Sequence, residues 1–218
     1  MAKLKGPLLS MRASGSIGKT NVYSSWRGIP YARMHVVPQN PDTGPQQLTR
    51  NAFSWLNLFF RQLGVHGLAP WDAASTGRPF TARNACIKAN LANLRSAVSL
   101  VTLTGSPGAR GGPALDSFTP ATGAGSGDID FDFTVGEMPA GWTLTRVVGF
   151  AVIEADPHDL DTIGYLASNY SGVNPQTFTL ATLVPATEYA CAGWAVYTRP
   201  DGELAFSPSM TALATSGA

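Results

Sequence analysis

Cysteine and histidine are scarce in this chain. Two cysteines, Cys86 and Cys191, and three histidines, His35, His66 and His158, are spread over 218 residues. Cysteines this far apart make no disulfide framework, and two buried free thiols are expected. Nor do two lone cysteines and three scattered histidines form a metal-ligand set. Nucleophilic catalysis finds no support, since no Gly-x-Ser-x-Gly elbow accompanies the histidines. No cofactor and no enzymatic activity are therefore expected. Long apolar runs are also missing: nothing approaches the roughly 18 residues of a membrane span. The opening MAKLKGPLLSMR lacks the continuous apolar core and small-residue cleavage site of a signal peptide, so none is expected.

Acidic residues are nearly absent from the first hundred positions. Only Asp42 and Asp72 stand there, against 12 Lys and Arg, a net charge of +10. Residues 101–218 reverse the balance, with Arg110, Arg146 and Arg199 against 12 acids, a net −9. The overall +1 hides this asymmetry, which implies two modules with different partners, or with each other's copies as partners. The positive charges are scattered and no recognition motif accompanies them, so nucleic acid is not the expected partner.

Composition changes at GSPGARGGP, residues 105–113, a Gly/Pro stretch that fits a linker. Ahead of it, residues 1–44 carry Tyr23, Trp26 and Tyr31 between basic residues, broken by Gly28, Pro30, Pro38 and Pro41. Those breaks forbid long helices and confine strands to short pieces. The segment reads as an extended basic, aromatic arm that orders against something else. In residues 45–104, Leu48, Ala52, Trp55, Phe59 and Leu63 recur at helical spacing, broadened by Leu56 and Phe60, with Gly64 as a stop. A second helix is expected near Thr81, whose hydroxyl can cap it, running through RNACIKANLANL. SLVTLTG then alternates like a short strand. Such a helical unit must share its core with a neighbour or with copies of itself.

ASGSIGKT, residues 13–20, matches a loose phosphate-loop pattern. A phosphate loop needs a buried strand before it and a helix beginning inside it. The flanks MAKLKGPLLSMR and NVYSSWRGIP supply neither, so a glycine-rich turn is expected instead.

Residues 114–218 read as all-β. GDIDFDFTV alternates strictly, with Ile129, Phe131, Phe133 and Val135 on one face and Asp128, Asp130 and Asp132 on the other. Short strands at roughly ten-residue intervals suit a sandwich. The run LATLVPATEYACAGWAVYTRPDGELAFSPSMTALAT, through Leu183, Pro185, Thr187, Tyr189 and Ser207–Ser209, resembles the second half of a fibronectin type III domain. The resemblance implies that Tyr189 is a corner tyrosine, its hydroxyl tying the preceding loop to the sandwich. Phe131 or Phe133 would fill the place of the family's early-strand Trp. The fold class expected is thus multidomain α+β: an extended arm (1–44), a small helical unit (45–104), a linker (105–113) and a fibronectin type III-like sandwich (114–218).

The N-terminal half, GSIGKTNVYSSWRGIPYARMHVVPQNPDTGPQQLTRNAFSWL, is similar to uncharacterised proteins encoded among the structural genes of tailed phages and prophages. The match runs through Gly15, Gly18, Lys19, Tyr23, Trp26, Gly28, Ile29, Tyr31, Arg33, Asn40, Pro41, Thr43, Gln46 and Arg50. It implies a virion structural protein, made in the bacterial host cytoplasm and present in multiple copies. Its expected partners are the major capsid protein or other virion proteins. A capsid decoration or minor capsid protein is favoured, with a neck or tail component, or a module adhering to a host surface, as alternatives. The expected contact residues are Arg12, Lys19, Tyr23, Trp26, Arg27, Tyr31, Arg33 and Arg50. Asp128, Asp130 and Asp132 form a possible acidic stripe for a cationic partner. ADPHDLD, residues 155–161, is expected to be a solvated turn because a Ca²⁺ loop needs more oxygen ligands at other spacings.

Overall fold

A computed structural model describes residues 3–4, 13–26, 29–37, 39, 42–96, 103–154, 164–169, 171–172 and 174–218. The chain divides into two compact units, Met1–Thr43 and Gly44–Ala218.

In the first unit, β1 (Lys3–Leu4), β2 (Ala13–Ile17), β3 (Asn21–Trp26) and β4 (Ile29–Met34) pair antiparallel in chain order. The segment expected as an extended arm is therefore a hydrogen-bonded meander. Its backbone groups pair internally, and Gly18, at φ +57°, lets the chain reverse between β2 and β3. None of the unit's described side chains is buried.

The second unit begins with α1 (Gly44–Gln62), α2 (Val65–Ser75) and α3 (Ala82–Ser96). The apolar stripe of α1 buries Ala52, Trp55, Leu56 and Phe59, with Leu63 just beyond its end. Thr81 caps α3 as its position suggests, its Oγ1 accepting the Asn84 N–H at 3.3 Å. The middle helix was not expected from sequence: VHGLAPWDAAS has no apolar stripe and carries Pro70 inside it. Trp71 anchors it, fully buried, with Nε1 donating to Gly105 O at 2.8 Å.

Two sheets follow. β6 (Leu115–Thr122), β7 (Ile129–Val135) and β10 (Gln176–Leu180) form a three-stranded sheet in the order β10-β7-β6. The larger sheet runs β5-β12-β11-β8-β9, and β13 also pairs with β11. Its strands are β5 (Pro107–Ala109), β8 (Thr143–Ile153), β9 (Gly164–Asn169), β11 (Glu188–Thr198), β12 (Leu204–Pro208) and β13 (Met210–Thr215). β12 and β13 line one edge of β11 in succession, interrupted at Ser209, whose N–H donates to Ser106 O at 3.0 Å. Between the two sheets Phe118, Ile129, Phe131 and Phe133 meet Val147, Ala151, Tyr189, Cys191 and Tyr197.

The helices cover the other face of the larger sheet. Trp55, Leu56, Phe59, Leu63 and Trp71 share one cluster with Val148, Phe150, Val152, Trp194 and Phe206. Trp55 stacks on Phe59, Phe59 meets Phe150 edge-on at 5.1 Å, and Phe150 meets Trp194 at 6.2 Å. The unit is thus three layers deep: sheet, sheet, helices. β8 and β11 are buried along nearly their whole length because each of their faces meets a hydrophobic layer.

Two boundaries expected from sequence change accordingly. The neighbour that completes the helical unit is the sandwich of the same chain. The stretch 105–113 is packed into that core rather than hanging free: Leu103, Gly105, Ser106 and Ala109 are buried, and Pro107–Ala109 pairs with β12. Of the strand expected at 99–105, only residues 103–105 are described, and they are irregular. The turn expected at 155–161 lies outside the described residues.

Candidate interface surfaces

The ASGSIGKT stretch is a strand followed by a turn. Gly18 and Lys19 hold φ of +57° and +56°, and Thr20 donates its N–H to Ile17 O at 3.0 Å. Positive φ at consecutive turn residues is the geometry that carries a chain directly back into an antiparallel partner. The chain then enters β3, so no helix N-terminus converges on the loop and it cannot cradle phosphate in the phosphate-loop manner.

Register sorts the expected contact residues between two faces. Directly opposed residues of an antiparallel pair share a face. Gly15, Tyr23 and Ala32 are opposed, as are Ile17, Asn21 and Met34, and these two rows lie on one side. Ser16, Val22 and Arg33, together with Ser24 and Tyr31, lie on the other. Tyr31 and Arg33 are thus neighbours, whereas Tyr23 stands on the opposite face beside Met34. Lys19 occupies the hairpin tip. Arg12 and Arg27, and the side chain of Trp26, lie outside the described residues.

Arg50 belongs to the other unit. It sits on the outward side of α1 with Ser54, Asn57 and Arg61, where Phe53 and Leu58 flank a shallow groove. Asn57 Oδ1 accepts a hydrogen bond from Arg83 Nε of α3. The spacing of 50, 54, 57 and 61 could have shown this second face, but the stronger apolar stripe dominates the helix pattern.

The acidic stripe assembles in part. Asp130 and Asp132 point to the open side of the three-stranded sheet, where Thr179 and Thr177 donate hydroxyl protons to them, the first at 2.5 Å. Asp128 does not join them. It lies in the turn before β7, with its carboxylate against Gly125 and its backbone oxygen accepting from Gly123 and Gly217. The pairing with threonines was invisible to a single-strand reading because it depends on the register of β10 against β7.

One polar cluster escaped the sequence reading. Arg146 of β8 donates through Nε and Nη2 to Asn169 Oδ1 at 3.2 and 2.8 Å, and through Nη1 to His66 Nε2. A guanidinium can only donate, so His66 accepts at Nε2. Partial burial, then the Arg146 charge, lowers the His66 pKa. Burial pushes both thiols, Cys86 and Cys191, up to about 12 and leaves them inert at neutral pH. No group of three or more His, Cys, Asp or Glu among the described residues could hold a metal ion.

Comparison with known proteins finds no matching family model and no matching curated protein. Among solved structures, a computer-redesigned β-sandwich protein matches 49% of this chain and 96% of its own, at 17% identity and a TM-score of 0.32. A titin module from human cardiac muscle matches 48% of this chain and 90% of its own, at 17% identity and a TM-score of 0.31. A family 76 glycoside hydrolase from a bovine Bacteroides thetaiotaomicron strain matches 47% of this chain and 20% of its own, at 12% identity and a TM-score of 0.33. Similarity of this degree carries no argument about function. The β-sandwich assignment rests on the strand pairing itself.

Proposed function

We propose that this chain is a non-enzymatic structural protein of a tailed-phage virion, a capsid decoration or minor capsid protein that docks through its N-terminal segment and presents a fibronectin type III-like sandwich. The observation that carries the docking role is the meander with no buried side chain among its described residues. A small antiparallel sheet needs a covered hydrophobic face to be stable in water. A partner that covers it on assembly supplies what the unit itself lacks, and loss of chain entropy is offset by the interface gained.

The virion assignment rests on the similarity of GSIGKT…YSSWRGIPYAR…NPDTGPQQ to phage structural proteins. The fibronectin type III reading is supported by the strand orders and by Tyr189, whose hydroxyl oxygen accepts the Val184 N–H at 2.9 Å across the corner before β11. The experiment is limited proteolysis of residues 1–44 in the free protein and in the intact particle. Cleavage in the free state and protection in the particle are expected. Equal protection in both states would overturn the docking role.

A further inference from the structure

Antiparallel sheets that dock on one side alternate, with apolar residues toward the partner and polar residues toward water. The meander does not alternate. One face carries Ile17, Tyr23 and Met34, and the other carries Val22 and Tyr31 beside Arg33. Both are open: Met34 is 76% exposed, Tyr31 42% and Ile17 36%. An aromatic and an aliphatic side chain on each side is the pattern of a sheet covered twice.

Size points the same way. Three strands of five to six residues, at about 3.3 Å per residue and about 4.8 Å between strands, give each face a footprint of roughly 300 Å². A stable interface covers about 800 Å² per partner, so one face alone falls well short, and a simple face-to-face dimer of two copies does too. Both faces and an edge together come much closer. The edge is available in β4. Pro30 has no N–H, so its pair with Ser25 is of the non-hydrogen-bonded class, and by alternation Ala32 and Met34 direct their N–H groups away from β3. His35, in the next phase, donates back to Thr20 O at 2.7 Å, as that alternation requires.

We infer that the meander is clasped on both faces between two protein surfaces of the assembled particle, an apolar one taking Tyr23 and Met34 and an acidic one taking Tyr31 and Arg33. This rests on the docking role proposed above. The acidic character of the second surface follows from charge: Arg33 stands on the face it covers, in a segment whose sequence carries six Lys and Arg against Asp42 alone, while the row of Ile17, Asn21, Tyr23 and Met34 is uncharged. Complementary charge would steer insertion and set its register.

The test uses full-length chains with one added thiol on each face, Asn21→Cys and Ser16→Cys, labelled with a maleimide in the free protein and in purified particles. Cys86 and Cys191 are buried and leave the added thiol as the reporter. Labelling at both positions should slow at least about tenfold in the particle. Protection of one position only would overturn the two-sided clasp and leave docking intact. Particles that retain the chain with neither position protected would overturn both. Protection already present in concentrated free protein would identify the cover as another copy of this chain and overturn the partner. Arg33→Glu should lower incorporation about tenfold, and unchanged incorporation would overturn the acidic surface.

Discussion

The carboxamide of Asn90 pairs with the backbone of Thr104 in both directions. Oδ1 accepts the Thr104 N–H at 2.6 Å, and Nδ2 donates to Thr104 O at 3.1 Å and to Cys86 O at 3.0 Å. Asn90 is fully buried, so it acts as a strand partner lent by α3 to the segment leading into the sandwich. Asn90→Leu keeps the size of the side chain but orphans both Thr104 groups. Each unsatisfied buried group costs about 1–3 kcal/mol, so a loss of roughly 2–5 kcal/mol is expected in urea unfolding. A loss below about 1 kcal/mol would mean that water reaches Thr104 and that the clamp is dispensable.

The same joint makes a prediction about the Gly/Pro stretch. A Cβ on Gly105 would stand 2.7 Å from both Phe150 and Trp194, closer than real Cβ contacts allow. Gly105→Ala should therefore destabilise the protein by about 1–3 kcal/mol through overpacking, whereas a linker glycine would accept alanine without loss. Residues 114–218 expressed alone should aggregate, because removing the helices uncovers Val148, Phe150, Trp194 and Phe206 together. Thermal melts of the variant and light scattering of the fragment measure the two effects.

Sequence pattern served well wherever one face of an element meets water. The stripe of α1, the cap at Thr81 and the alternation of β7 could each be read because polar residues mark the wet side. It failed where both sides are covered. Along β8 and β11 a continuous apolar run leaves no phase to read, so Trp194 gives no sign of facing the helices rather than the opposing sheet. In α2, Trp71 is the main burial signal and Pro70 argues against a helix at all. The corner at Tyr189 was legible through resemblance alone, since a tyrosine at a strand start does not by itself indicate where its hydroxyl points. For the docking segment, the mixture of tyrosine and arginine suggested contact, but the division of Tyr23 from Tyr31 between two faces needed the register.

Alkaline pH should expose the buried thiols thermodynamically. Burial raises Cys86 and Cys191 from 9.0 to about 12, and burial with the nearby Asp116 charge raises Tyr197 from 10.0 to about 12. A group with a raised folded pKa contributes fully below its unfolded pKa and loses that contribution as pH rises through the folded value. Stability should thus stay level up to about pH 9 and fall steadily between pH 9 and 12. At pH 8 a thiol reagent should find no reactive cysteine in the native protein and two in denaturant. Reaction of either thiol in the native state would show that its layer opens readily.

Removing residues 1–43 should separate folding from docking. Every buried hydrophobic side chain among the described residues belongs to residues 44–218, including both core clusters. Burying Trp55, Leu56, Phe59, Leu63 and Trp71 alone is worth on the order of 10 kcal/mol in transfer free energy, a contribution the truncation leaves untouched. No described side chain of the meander is buried, so the melting temperature of residues 44–218 should lie within about 3 °C of the full chain. Incorporation into particles should nevertheless be lost, because the surfaces that lack a cover in the free protein are the ones removed. A truncated chain that melts far lower would mean that the meander stabilises the second unit. A truncated chain that still enters the particle would move the docking surface to the sandwich or to the outward side of α1.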